Sequence, residues 1–149
     1  MRREYRWSMA KRYRMSTFRR TVNTAMSALA RRGRGPAWEL TVIGRRSGEP
    51  RAVPVTPIAV DGSRYLVAPY GAVGWVYNIR AAGHAGLRRG PDESKITATE
   101  VDGTEAAAVL MAYHADLERI VGNYFDLPAE PDLDDFLAVV PDHPVFRIE

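Results

Sequence analysis

The chain has 149 residues, 46% of them hydrophobic, which suffices for one domain with a packed core. It lacks cysteine, which excludes disulfides, thiolate catalysis and cysteine metal sites. Its net charge of +3 is unevenly divided, because residues 1–51 hold 14 Arg and Lys against 3 Asp and Glu, whereas residues 52–149 hold 7 against 15. The front of the molecule is therefore predicted to meet anions, and nucleic acid, an anionic membrane surface or a phosphorylated small molecule would each fit.

Neither a membrane span nor an export signal is expected. Charged residues interrupt every apolar run well before the roughly 18 residues that a spanning helix needs. The basic start, "MRREYRWSMAKRYRM", lacks the apolar stretch of a secretory signal, which predicts a cytoplasmic protein. The three histidines, His84, His114 and His143, are far apart, so no metal site is predicted. We interpret residues 1–15 as a basic tail and residues 16–149 as a single domain.

The first half of this domain reads as one helix followed by strands. Phe18, Val22, Ala25, Met26 and Leu29 recur at three- and four-residue steps ahead of Gly33, which predicts an amphipathic helix with these residues on its packed face. After Pro36, the runs "AWELTVIG", "RAVPVTPIAV" and "SRYLVAP" predict three consecutive antiparallel strands. Asp61-Gly62 between the last two runs is a two-residue hairpin signal.

In the second half of the domain, predicted helices again alternate with predicted strands. "VGWVYNIRAAG" predicts a short helix that ends at Gly83, and "HAGLRRG" and "SKITATEVD" predict two more strands. A longer helix is expected from residue 104 onward, with Thr104 as its N-cap. The Pro- and Asp-rich "LPAEPDLDDFLAVVPD" is interpreted as a loop before a last strand in "PVFRIE". About six short strands with these helices predict an α+β fold built around a small antiparallel barrel.

A turn of unusual composition joins the first two predicted strands. In "TVIGRRSGEPRAVPV", Gly44 and Gly48 allow a tight turn, Arg45, Arg46 and Arg51 supply positive charge, and Ser47 supplies a hydroxyl. Together they suit a concave anion site, for which a phosphate is the natural ligand. The alternative is a solvated turn whose arginines only maintain solubility.

A second segment, "YLVAPYGAVGWVYNIRAAG", follows one hairpin later. It combines a glycine for close backbone approach with aromatic surface and the Asn78 amide, which suits a planar heterocycle. The alternative is that Trp75 and Tyr77 are core aromatics and that Asn78 satisfies a neighbouring turn.

In this order and spacing the two segments resemble the deazaflavin-dependent nitroreductase and quinone reductase family, whose members bind coenzyme F420 in a split β-barrel. The resemblance covers residues 38–90. It implies that Arg45, Arg46, Ser47, Gly48 and Arg51 hold the cofactor's phosphate and acidic tail. It also implies that the deazaflavin ring and its pocket are lined by Val53, Pro54, Pro69, Tyr70, Gly71, Trp75 and Asn78.

The resemblance implies hydride transfer from reduced F420 to a small organic acceptor, such as a quinone, a nitro compound or an activated alkene, with the cofactor supplying the chemistry. No catalytic side chain is assigned, but Tyr113 or Tyr124 could hydrogen-bond an acceptor oxygen or donate a proton; the alternative for each is a packing role. A homodimer is a further expectation.

Three other interpretations remain open. The same barrel could bind FMN, the second choice of cofactor, or haem. It could also carry a cofactor without turnover. Finally, the basic front interleaves arginine with Tyr5, Trp7 and Tyr13, which suits nucleic acid or an anionic membrane, and of these two we favour peripheral membrane contact.

Overall fold

The computed structural model describes residues 17–35 and 37–149, which form four α-helices and seven strands. The helices are α1 (Thr17–Arg31), α2 (Gly74–Ala82), α3 (Gly103–Val121) and α4 (Leu133–Val139). The strands are β1 (Trp38–Ile43), β2 (Pro50–Val55), β3 (Ile58–Val60), β4 (Ser63–Val67), β5 (His84–Arg89), β6 (Asp92–Val101) and β7 (Val145–Ile148). The tail predicted at residues 1–15 lies outside the described residues.

The strands form one curled antiparallel sheet in the order β2-β1-β5-β6-β7-β4-β3. This half-barrel with helices packed on it confirms the predicted α+β class. Within the described residues, no helix is both long and apolar enough to cross a bilayer.

The sheet has seven strands because the predicted strand at residues 51–60 is two strands. Thr56 and Pro57 separate β2 from β3, and a proline cannot donate a hydrogen bond to a neighbouring strand. β2 pairs with β1, and β3 pairs with β4 through the Asp61-Gly62 turn, in which both residues have positive φ (50° and 79°). The expectation of three consecutive strands was therefore wrong: the two hairpins lie at opposite edges of the sheet.

Helix boundaries follow local signals with two exceptions. As predicted, α2 ends at Gly83, which has a left-handed φ of 74°. α3 begins at Gly103 with Asp102 as its N-cap, so the assignment of Thr104 was wrong. The predicted Pro- and Asp-rich loop contains α4, which Asp132 and Asp135 begin with a reciprocal capping box.

Two apolar clusters fill the molecule, one on each face of the sheet. Leu66 and Phe146 lie in the cluster inside the curl, while their strand neighbours Val67 and Val145 join α3 and α4 in the other. This division is the two-residue alternation of β-strands.

The helix α1 packs with a face other than the predicted one. Leu29 is 43% exposed and Ala25 is exposed, whereas Ser27 and Ala30 are buried. A short ion pair joins Arg31 Nε to Glu39 Oε2 at 2.7 Å, and the Gly90 amide donates to the Ala30 carbonyl at 2.7 Å. These contacts fix the C-terminal end of α1 to β1 and to the β5–β6 turn, with a polar side of the helix turned inward.

Candidate functional site

We call the turn between β1 and β2, residues 44–49, the arginine loop. Its backbone is held by two hydrogen bonds. The Gly44 amide donates to the Glu49 carbonyl at 2.8 Å, and the Gly48 amide donates to the Gly44 carbonyl at 2.9 Å. A Cβ on Gly44 would lie 2.6 Å from Ser47 Oγ, so any larger residue there would have to displace the Ser47 side chain. Gly48 adopts a φ of +70°, which glycine accommodates without strain.

Asn78 of α2 holds this loop in place through hydrogen bonds to Arg45. Its Oδ1 accepts one hydrogen bond from the Arg45 backbone amide at 3.1 Å and another from Arg45 Nη1 at 2.9 Å. The Arg45 guanidinium also lies 5.1 Å from the centre of the Tyr77 ring. Because Asn78 is only 8% exposed, it holds Arg45 in one orientation more firmly than a solvent-exposed contact would.

A small cavity of about 250 Å³ opens above the loop, lined by Gly44, Arg45, Arg46, Ser47, Arg51 and Asn78. No carboxylate lines it, and no ion pair joins Arg45, Arg46 or Arg51 to a carboxylate among the described residues. Three guanidinium groups without a local counter-ion produce a positive potential that suits a phosphate or carboxylate ligand.

A larger cavity of about 790 Å³ adjoins the first, since Arg51 and Asn78 line both. Its walls are mostly apolar and come from β2, from the segment between β4 and α2, and from α3. They include Val53, Pro54, Val55, Val67, Pro69, Tyr70, Val73, Trp75, Tyr113 and Leu117. A largely apolar cavity that adjoins a cluster of arginines suits a planar molecule that carries an anionic tail.

The structure brings most of the predicted binding residues together. Arg45, Arg46, Ser47 and Arg51 surround the small cavity, while Val53, Pro54, Pro69, Tyr70 and Trp75 line the large one together with Tyr113. Three predicted residues, Gly48, Gly71 and Tyr124, line neither cavity.

These three residues lie beside the cavities and support their walls. Gly48 shapes the arginine loop, and Gly71 continues the turn after Pro69 and Tyr70 with a φ of 86°. The Tyr124 ring packs edge-on against Tyr70, with 4.6 Å between ring centres. Tyr124 is therefore placed to orient a wall residue.

Tyr113 lines the large cavity, and its phenol is protonated. Its side chain is almost completely buried, and burial, followed by the proximity of Tyr70, raises the pKa of Tyr113 well above its ordinary value. Its Oη–H therefore stays a hydrogen-bond donor at any physiological pH.

Sequence reasoning missed the contribution of α1, which forms one wall of the large cavity with Arg20, Asn23, Thr24, Met26, Ser27 and Arg31. The polar members fall at three- and four-residue steps, which is the spacing of a single helix face. That spacing was the available signal, but the regular apolar positions predicted the opposite orientation of the helix.

A model of known proteins described as F420H(2)-dependent quinone reductase matches residues 10–127. Because this match covers most of the chain, the chain belongs to the F420H(2)-dependent quinone reductase family, which is a family of reductases. Coenzyme F420 is the cofactor of this family, which confirms the cofactor expected from the sequence. No curated protein matches the chain.

Solved structures share the fold at low sequence identity. An F420-H2 dependent reductase, FDR-A, is 21% identical with a TM-score of 0.55, over 76% of this chain and 94% of that one. A domain-swapped dimer is 20% identical with a TM-score of 0.53, over 76% and 80%. HutZ, a haem storage protein from Vibrio cholerae, is 11% identical with a TM-score of 0.54, over 76% and 80%.

Proposed function

We propose that this F420-dependent reductase transfers a hydride to a small planar organic acceptor, a quinone, a nitro compound or an activated alkene, held in the large cavity. The observation that carries the proposal is the junction of the two cavities at Arg51 and Asn78. A cofactor anchored by its anionic part in the small cavity would extend its ring directly into the large one.

The residues present fit the cofactor. Its phosphate and acidic tail need cationic donors, and Arg45, Arg46 and Arg51 offer these without a competing carboxylate. Ser47 Oγ already accepts a hydrogen bond from the Glu49 amide at 3.2 Å, so its hydroxyl proton is left to donate to an anion. Val53, Pro54, Pro69, Tyr70 and Trp75 supply the flat apolar surface that a deazaflavin ring needs.

When bound, reduced F420 supplies a hydride from its ring, so the protein needs no nucleophile. The chain's own residues position the reactants and exclude water. We expect the protonated hydroxyl of Tyr113, a residue that lines the cavity, to donate a hydrogen bond to an acceptor oxygen and to stabilise the negative charge that develops there. The apolar walls raise the strength of this bond by excluding solvent.

The direct test is a tryptophan fluorescence titration of the purified protein with oxidised F420, beside FMN as the second cofactor considered. Because Trp75 lines the large cavity, we expect saturable quenching by F420 that a Trp75→Phe variant loses. Reduced F420 would then be mixed with each acceptor class, and its reoxidation followed by absorbance.

Other outcomes of that test identify the competing functions. Saturable quenching by FMN alone would replace the cofactor while keeping the fold. Tight binding of F420 without reoxidation by any of the three acceptor classes would favour a cofactor carrier.

Three further predictions concern the surroundings of the protein. Homodimerisation accords with a structural neighbour that is itself a dimer, although the likeness at 20% identity concerns the fold. Cytoplasmic location and peripheral membrane contact through residues 1–15 also stay predictions, and the tail lies outside the described residues.

A further inference from the structure

The side of α1 that lines the large cavity is mostly polar, whereas the inner side of an amphipathic surface helix is usually apolar. Arg20, Asn23, Ser27 and Arg31 follow one another at three- and four-residue steps and all line the large cavity. Meanwhile Leu29, the largest apolar side chain near the C-terminal end of the helix, is 43% exposed. We call these four inward residues the α1 stripe.

The middle of the α1 stripe holds polar groups that the described part of the chain leaves without a partner. Ser27 is only 5% exposed, yet no described residue hydrogen-bonds to its hydroxyl. The Asn23 carboxamide, one turn earlier, likewise has no partner among the described residues. Ser27 Oγ is not one of the fully buried atoms that lack a partner, so it is accessible from the cavity and free to hydrogen-bond a ligand there.

The charge at the stripe is positive. Arg20 has no ion pair within the described residues, whereas Arg31 is paired with Glu39 through Nε. No Asp or Glu is among the described residues lining the large cavity. The net charge facing the cavity along α1 therefore comes from Arg20, one helical turn from Asn23.

We propose that the α1 stripe binds a carboxylate on the acceptor, so that the preferred substrates of this reductase are anionic. Asn23 and Ser27 donate hydrogen bonds to the carboxylate oxygens, and Arg20 supplies the opposite charge. Apolar residues of β2 and of the segment after β4, which line the same cavity, hold the apolar part of the acceptor. This inference rests on the proposed function, because it assigns the acceptor side of the same large cavity.

The test uses a matched pair of acceptors, a naphthoquinone with a carboxylate side chain and its methyl ester. Wild-type protein is expected to prefer the free acid by about tenfold or more in kcat/KM, mostly through KM, since a hydrogen bond to a charged group is stronger than one to a neutral group. Rising salt should reduce the preference.

Three substitutions separate the contributions of the stripe. Arg20→Ala and Ser27→Ala should each abolish most of the preference for the acid, measured as the ratio of kcat/KM for the acid to kcat/KM for the ester on the same variant. Asn23→Asp should reverse the preference, because it sets a carboxylate against a carboxylate. Arg32→Ala is the matched control, since Arg32 is an exposed arginine that follows α1 and lines neither cavity.

Calorimetric titration of the protein with the acid and the ester, without cofactor, gives a readout that does not depend on turnover. A preference for the acid in this titration that Ser27→Ala loses would support the stripe even if no acceptor is reduced, an outcome that would contradict only the proposed function. Equal affinities for acid and ester would overturn the inference. It would also be overturned if Arg20→Ala weakened F420 binding tenfold without changing the acid-to-ester ratio, since the stripe would then hold the cofactor's own acidic tail.

Discussion

Replacing Asn78 by alanine is expected to weaken F420 binding although Asn78 carries no charge. In the structure its Oδ1 accepts from both the backbone amide and the Nη1 of Arg45, at 3.1 and 2.9 Å. Alanine removes both bonds and leaves the arginine loop free to reorient. Asn78 thus acts on the anion through Arg45, as a positioning residue.

The magnitude follows from the two bonds. A neutral hydrogen bond contributes about 0.5–1.5 kcal/mol and one to a charged group about 1.5–3 kcal/mol. Some of this loss destabilises the fold, because the Arg45 amide is left without its acceptor, and the remainder lowers the affinity for the cofactor. We expect F420 affinity to fall roughly tenfold, which corresponds to about 1.4 kcal/mol.

The assay is the fluorescence titration with F420 at two salt concentrations, with circular dichroism to verify folding. Asn78→Asp is the informative comparison, because it keeps an acceptor oxygen for Arg45 but adds negative charge beside the anion cavity. It should preserve stability while weakening F420 binding more than alanine does. The dependence of its F420 affinity on salt should also differ from that of the wild type. Tyr77→Leu, which removes only a ring 5.1 Å from the Arg45 guanidinium, should have a smaller effect. A folded Asn78→Ala protein with F420 affinity within twofold of wild type would refute the reasoning.

Three further predictions follow from the same structure. Gly44→Ala should weaken F420 binding at least tenfold and lower the melting temperature, because the new Cβ would lie 2.6 Å from Ser47 Oγ; an unchanged affinity in the titration would show that the turn tolerates a shift. His143 is 5% exposed and stacks on Phe125, and burial lowers its pKa below the ordinary 6.5, against smaller opposing effects of Asp142 and of the Pro69 and Ala68 backbone. Because the unfolded chain then binds the proton more readily, stability contributed by the neutral imidazole is complete above about pH 6.5 and is lost as the pH falls below it. His143→Phe should therefore lose less melting temperature than wild type between pH 7 and pH 5, and parallel losses would contradict this assignment. Deleting residues 1–15 should abolish co-sedimentation with anionic liposomes without changing F420 affinity, and unchanged sedimentation would remove the predicted membrane contact.

Local sequence signals were sufficient for the arginine loop and for α2. The pairing of Gly44 and Gly48 around two arginines and a serine acts within a few residues, so its turn geometry and charge can be read directly from the chain. The same holds for the end of α2 at Gly83 and for the Asp61-Gly62 turn. Such signals depend on backbone conformations that only certain residues adopt easily.

Signals of intermediate range were present but misread. Asp132 and Asp135 form a capping box, and the spacing of Phe136 and Val139 is helical, yet nearby prolines made the segment read as a loop. Pro57 similarly marked the break between β2 and β3 inside a run of β-forming residues. In both cases the prediction followed the average composition of ten or more residues. The structure followed a shorter pattern within them.

The sequence by itself determined that the chain carries an arginine-rich turn, a nearby aromatic segment and an α+β sheet, because these follow from local conformation and alternation. Only the tertiary structure decided that Asn78 holds Arg45, 33 residues away in the chain, and that α1 turns its polar side inward. The physical reason is that such contacts depend on how elements pack across the barrel. The apolar positions of α1 are periodic whichever side faces the cavity, and contacts from the C-terminal end of the helix to Glu39 and Gly90 fix the choice.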